Sequence, residues 1–188
     1  MIVRTEYQAP RQRLAERLGL EYEDLVRLVF ESETSRKASV GEIGEEEHWE
    51  AVTRRLKRPA SESRTIHAEF FAGDIVDRAL VAFIRSLRPR VKTGLISNAW
   101  LGLRGYLAEQ KFDDAFDGLT ISAEVGVVKP KAEIYLLALE QLGVSPTEAL
   151  FVDDFPENVE GARAVSMSAI QFTDADQTIQ QVKMFLKN

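Results

Sequence analysis

Cysteine is absent from this 188-residue sequence, histidine occurs only twice, and no apolar run approaches the ~20 residues that a membrane-spanning helix requires. The first absence excludes a disulfide framework, a thiolate zinc site and a cysteine nucleophile. The opening "MIVRTEYQAP" also lacks the long apolar core of a signal peptide, which sets the expectation of a soluble, cytoplasmic protein with no membrane partner. Positive charge is in deficit as well. Lys and Arg total 24 against 30 Asp and Glu, a net charge of −6, which argues against a nucleic-acid partner and directs attention to small molecules and cations.

The acidic excess is local. Up to Arg90 there are 16 basic and 16 acidic residues, and from Val91 onward 8 basic and 14 acidic. An acidic second half suits a metal site, and equally suits a solvated face that keeps the protein soluble.

What is present is 45% apolar content, enough for a core domain with a smaller insert. From Pro10 to about Leu87 the pattern is helical. Leu14 and Leu18 lie one turn apart, Tyr22, Leu25, Val26 and Val29 follow the helical spacing, and Gly19 is placed to end the first helix. Trp49, Val52 and Leu56 mark another helix, and Val76, Ala79, Leu80, Phe83 and Leu87 give an apolar face on a later one. Beyond "RPR" the period changes. "VKTGLIS", "GLTISA", "ALFVD" and "SAIQF" have strand length, with helical patterns between most of them, including Tyr135 to Leu142 closed by Gly143. That alternation predicts a mostly parallel sheet wrapped by helices, a Rossmann-like α/β core.

In an open parallel sheet, ligands bind beyond the carboxyl ends of the strands. Three such ends carry chemistry: Ser97 and Asn98 close "GLISN", Lys129 precedes a helix in "SAEVGVVKPKAEIY", and Asp153 with Asp154 close "LFVDD". Singly, each has a plain structural reading as a cap, a turn residue or a solvated charge. Together they match phosphoryl transfer, in which a hydroxyl and an ammonium hold phosphoryl oxygens and hard carboxylates hold Mg²⁺. A nucleophile is missing from the set.

These motifs resemble the haloacid dehalogenase superfamily in its phosphatase subclass with a helical cap. "GLISN", "GVVKPKAEIY" and "FVDDFPENVEGARAV" match its phosphate-binding strand, its lysine motif and its acidic motif, in order. The resemblance implies residues 1–9 as a linker into the cap, 10–75 as the cap and 76–188 as the core. It implies that Ser97 hydrogen-bonds the transferring phosphoryl group, Lys129 stabilises its charge, and Asp154 ligates Mg²⁺ with Asp153 in support, directly or through water. Asn98 would shape the phosphate site and Asn158 would brace the acidic loop. Arg4, His48, Trp49 and His67 could face the site, with core or surface duty as the plainer assignment.

The sequence departs from the family at its start. The family's first strand is central and ends in Asp-x-Asp, whose first Asp attacks phosphorus, whereas "MIVRTE" resembles the segment that follows that strand. Two readings stay open: a Mg²⁺-dependent phosphohydrolase of small phosphorylated metabolites, weakly active or inactive as given, and a non-catalytic module that binds phosphate, metal or a protein. Mg²⁺ binding is expected to be weak. The gap in the sheet invites filling by the first residues, by a rearranged strand, or by a second copy in a homo-oligomer.

Overall fold

The computed structural model describes residues 2–187. Met1 and Asn188, the outer ends of the linker and core segments assigned above, lie outside the described residues. The chain runs through β1 (Val3–Thr5), then α1 (Ala9–Leu18), α2 (Tyr22–Phe30), α3 (Glu33–Ser39), α4 (Glu45–Arg55) and α5 (Ser63–Phe71). These five helices make the cap. Leu14, Leu25, Val29, Trp49, Val52, Ile66 and Phe70 form its core, and each such side chain contributes about 1.5–3 kcal/mol when fully buried. Gly19 ends α1 at φ 72°, a backbone state that glycine reaches without strain.

The return from the cap is β2 (Asp74–Val76), followed by α6 (Arg78–Leu87), β3 (Gly94–Ser97), α7 (Leu103–Glu109), β4 (Gly118–Ile121) and the one-turn α8 (Ser122–Val125). Then come α9 (Ala132–Leu142), β5 (Leu150–Asp153), α10 (Pro156–Ala164), β6 (Ser168–Gln171) and α11 (Ala175–Phe185). Gly143 closes α9 at φ 62°. The apolar residues of the core fall into two clusters. One gathers Leu80, Val81, Leu107 and Phe112, with Leu95 of β3 and Leu119 of β4 against it. The other gathers Ile134, Tyr135, Phe151 and Ala162, with Ile96 of β3 and Ala169 of β6 against it. Adjacent residues Leu95 and Ile96 thus serve different clusters, as the alternation of a strand requires.

Two expectations need correction. The chain does have a first strand: β1 is present, in the segment read as linker, and pairs antiparallel with β2, Val3 opposite Val76 and Thr5 opposite Asp74. Its short length and polar residues hid it. The single parallel sheet is also not what is found. Among the described residues the strands form three two-stranded sheets: β1 with β2, β3 parallel to β4, and β5 parallel to β6. Among those residues neither β3 nor β5 has a strand on its other edge.

The β1–β2 ribbon is where the chain enters and leaves the cap, and it is tied by charge. Asp74 accepts from the Thr5 hydroxyl at 2.6 Å and from buried Arg11 at 3.3 Å, whose guanidinium lies 4.0 Å from the Phe70 ring centroid. Asp77 caps α6 by accepting from Leu80 N–H at 2.9 Å and pairs with Arg4 at 2.9 Å. Its carboxyl is held below its ordinary value of 3.8, first by the Leu80 N–H and next by Arg4. A depressed folded-state pKa gives stabilisation that is present above the unfolded value and fades as pH falls through the folded one. Asp77→Ala is therefore expected to cost about 0.5–2 kcal/mol at neutral pH. Denaturant titrations should show that difference shrinking below roughly pH 4.

Candidate active site at the strand ends

Lys129 joins the two parallel pairs. From the loop between α8 and α9, its ammonium donates to the Ile96 carbonyl of β3 at 3.1 Å and to Asp153 Oδ2 of β5 at 2.5 Å. Both side chains are buried, 9% and 4% exposed, so the pair is shielded from competing water. The peptide of Lys129 is held in turn by Asn98, which accepts from Lys129 N–H at 2.7 Å and donates to Lys129 O at 3.0 Å. Asn98 is thus engaged in positioning Lys129.

Asp153 is a hub of hydrogen bonds. Besides Lys129, it accepts from Phe155 N–H and from Asn158 Nδ2, each at 2.9 Å. Asn158, buried at the start of α10, also accepts the Tyr135 hydroxyl at 2.8 Å through its carbonyl. Burial, and then the nearby Asp153 carboxylate, push the Tyr135 hydroxyl up to about 12, so it stays a proton donor across the working pH range. Gly161 lets α10 approach this assembly: a Cβ there would stand 2.7 Å from Pro130 O and 2.9 Å from the Tyr135 hydroxyl.

Ser97 ends β3, half-buried, and its hydroxyl bonds no other described residue through its side chain. Asp154 follows Asp153 and is an exposed residue. The Lys129 ammonium therefore joins the carboxyl ends of β3 and β5, where Ser97 follows Ile96 and Asp154 follows Asp153. Among the described residues no three His, Cys, Asp or Glu side chains cluster as a metal cage. Mg²⁺ does not need one, since one or two carboxylates suffice when water and phosphate complete its shell. Asp153 is already engaged by three donors, and Asp154 lies exposed beside it.

The other candidates sit elsewhere. Arg4 pairs with Glu6 and Asp77, Trp49 belongs to the cap core, and fully buried His48 shares a hydrogen bond with Thr34 at 2.9 Å. Burial pushes the His48 imidazole below its ordinary value. His67 faces Glu45 at 3.3 Å. Sequence reasoning missed Trp100 and Glu45. Trp100, three residues beyond Ser97, stacks on Phe30 with centroids 6.1 Å apart and lies 4.6 Å from the His48 ring, while Glu45 accepts from Gly102 N–H at 3.1 Å. The loop after Ser97 is thereby docked on the cap. An aromatic and a glycine just past a strand end were its only local signal.

The model of the haloacid dehalogenase-like hydrolases matches residues 2–166. The chain belongs to that family. Among curated relatives, sesquiterpene phosphatase astK of Aspergillus oryzae is 28% identical over 160 residues, 84% of this chain and 82% of that protein. The rat bifunctional epoxide hydrolase 2 is 28% identical over 124 residues, 63% of this chain but only 22% of that longer protein. Among solved structures, a HAD-like family hydrolase from Porphyromonas gingivalis superposes with a TM-score of 0.79 at 21% identity, covering 97% of this chain and 91% of that one. A HAD family enzyme from Bacteroides thetaiotaomicron, in complex with magnesium and inorganic phosphate, gives 0.77 at 18%, covering 93% and 89%. These structures share the fold.

The geometry separates the two adjacent aspartates. Asp153→Ala would leave the Lys129 ammonium buried without its counter-ion and is expected to cost about 3–5 kcal/mol. Asp154→Ala, at an exposed carboxylate, is expected to cost under about 1 kcal/mol. Denaturation midpoints of the two variants give the comparison.

Proposed function

We propose that this HAD-like hydrolase is a Mg²⁺-dependent phosphohydrolase of small phosphorylated metabolites. The observation that carries the reading is the Lys129 ammonium, held between the residue before Ser97 and the residue before Asp154. That arrangement supports a reading in which a hydroxyl, a buried cation and a carboxylate would share one place for a phosphoryl group. Ser97 would donate to a phosphoryl oxygen, Lys129 would offset its charge, and Asp154 would hold Mg²⁺ with Asp153 supporting. When bound, the ion would supply Lewis-acid stabilisation of the charge that develops on the phosphoryl oxygens. Relatives named as phosphatases support the reading, among them proteins of Aspergillus oryzae and Mycobacterium tuberculosis, as does the magnesium and phosphate in the Bacteroides neighbour.

The described rim offers no carboxylate suited to attack. Asp153 is taken up by three donors, and on this reading Asp154 would be the metal ligand. A strand between β3 and β5 would put its C-terminal residue beside Lys129, where an attacking carboxylate belongs. Without it turnover is expected to be slow, and a non-catalytic module that binds phosphate or metal is the second reading, favoured by that same lack. Phosphate release from an aryl phosphate with Mg²⁺ decides between them. The enzyme reading predicts slow release that chelation removes and that Asp154→Ala lowers on the order of 100-fold or more. Release indifferent to that substitution contradicts it, and no release above a blank favours the non-catalytic module.

A further inference from the structure

Two side chains near the end of β3 each hold both backbone groups of a residue far away in sequence, and they act in series. Asn98 does so to Lys129, accepting from its N–H at 2.7 Å and donating to its carbonyl at 3.0 Å. Ser122 does the same to Ala99, the residue next to Asn98. The Ala99 N–H donates to the Ser122 hydroxyl at 3.0 Å, and that hydroxyl donates to the Ala99 carbonyl at 3.2 Å. The Ala123 N–H adds a bond to the same carbonyl at 3.3 Å. Parallel pairing of β3 with β4 brings this about: Ser97 lies opposite Ile121, so the residues that follow each strand meet just beyond the ladder.

A serine at the start of a helix commonly bonds the helix's own backbone. Ser122 opens α8, yet that helix start has no side-chain cap bond, and the hydroxyl goes instead to a residue 23 positions away. It is fully buried, so water does not compete for it. A serine hydroxyl is both donor and acceptor, which lets one oxygen serve the Ala99 N–H and carbonyl together. The cap backs the same segment from the other side. Gly41, just past α3 at φ 74°, approaches so closely that a Cβ there would stand 2.2 Å from the Ala123 carbonyl oxygen. The contacts therefore run from Ser122 to Ala99, through one peptide to Asn98, on to the Lys129 backbone, and from its ammonium to Ile96 O and Asp153. Asn98 can hold Lys129 only as firmly as its own backbone is held.

We infer that Ser122 is a positioning residue for the phosphate site: by holding Ala99 it fixes Asn98, and through Asn98 it fixes the backbone from which the Lys129 ammonium reaches Asp153. Its purpose rests on the phosphohydrolase reading, whereas the relay from Ser122 to Lys129 is measured without any phosphate, so the two can fail separately.

Amide hydrogen exchange on the full chain, resolved residue by residue by NMR, reads the relay. Ser122→Ala is expected to speed exchange at Ala99 and at Lys129 alike, by about tenfold or more. Val81→Ala, a truncation in the buried cluster on α6, controls for lost stability alone and is expected to leave the ratio of Lys129 exchange to that of other core amides unchanged. Titration of inorganic phosphate in the presence of Mg²⁺ reads the purpose: Ser122→Ala is expected to weaken affinity about tenfold or more, and Val81→Ala to leave it unchanged. If Ser122→Ala fails to fold, the unaltered chain still decides, because the Ala99 and Lys129 amides are then expected to open together, with equal protection once intrinsic rates are corrected. Lys129 exchanging more than about tenfold faster than Ala99 would overturn the relay. So would a Ser122→Ala protein that melts lower, as Val81→Ala does, yet keeps the protection of Lys129. Unchanged phosphate affinity in Ser122→Ala would overturn the positioning role. Absence of phosphate binding by the unaltered chain contradicts the phosphohydrolase reading instead, and the exchange rates then still decide on the relay.

Discussion

The buried ion pair between Lys129 and Asp153 is the interaction on which the rest of the site depends. A lone ammonium or a lone carboxylate in that position would be strongly unfavourable, and the pair is tolerable because each member is also hydrogen-bonded, to Ile96 O on one side and to Phe155 N–H and Asn158 on the other. It links the ends of two strand pairs that share no ladder of their own. Asn98 fixes the lysine backbone, Tyr135 fixes Asn158, and Gly161 leaves room for both to close. Ser97 and Asp154, the groups proposed to carry the chemistry, sit one residue beyond Ile96 and Asp153, which this network holds. Rigid support behind exposed functional groups is the arrangement that phosphoryl transfer needs, since it works mainly by positioning and charge.

The cap reaches the same rim by a different physics. Trp100, three residues beyond the end of β3, packs among Phe30, His48 and Trp49. Gly102 adds a backbone hydrogen bond to Glu45, whose carboxyl is held low, first by His67. The loop that follows Ser97 is thus attached to the cap. The other attachment, the β1–β2 ribbon with Asp74, Thr5 and Arg11, is short and charge-tied, suited to holding a position between two cores.

Much of this was legible in the sequence, for identifiable reasons. The four core strands are short apolar runs bounded by polar or glycine residues, and they fall inside "VKTGLIS", "GLTISA", "ALFVD" and "SAIQF". Gly19 and Gly143 end their helices because a left-handed residue is needed there. The ribbon was not legible. Three-residue strands containing Arg4, Thr5 and Asp74 carry no apolar alternation, and their pairing joins segments some seventy residues apart. The separation of β3 from β5 was expected only through the family resemblance, which left a gap in the sheet: periodicity reports which residues face a core, not which strand lies alongside. Likewise the spacing marked Asp153 and Asp154 as one acidic motif, whereas burial divides them into a structural anchor and an exposed candidate ligand.

Calorimetric titration of inorganic phosphate into the full chain tests the central claim most directly, that Lys129 and Asp153 hold Ser97 and Asp154 in place as a phosphate and Mg²⁺ site. Saturable binding that requires Mg²⁺ and disappears in Asp154→Ala is the predicted result. Phosphate binding that is the same with and without Mg²⁺, or that survives loss of Asp154, would contradict it.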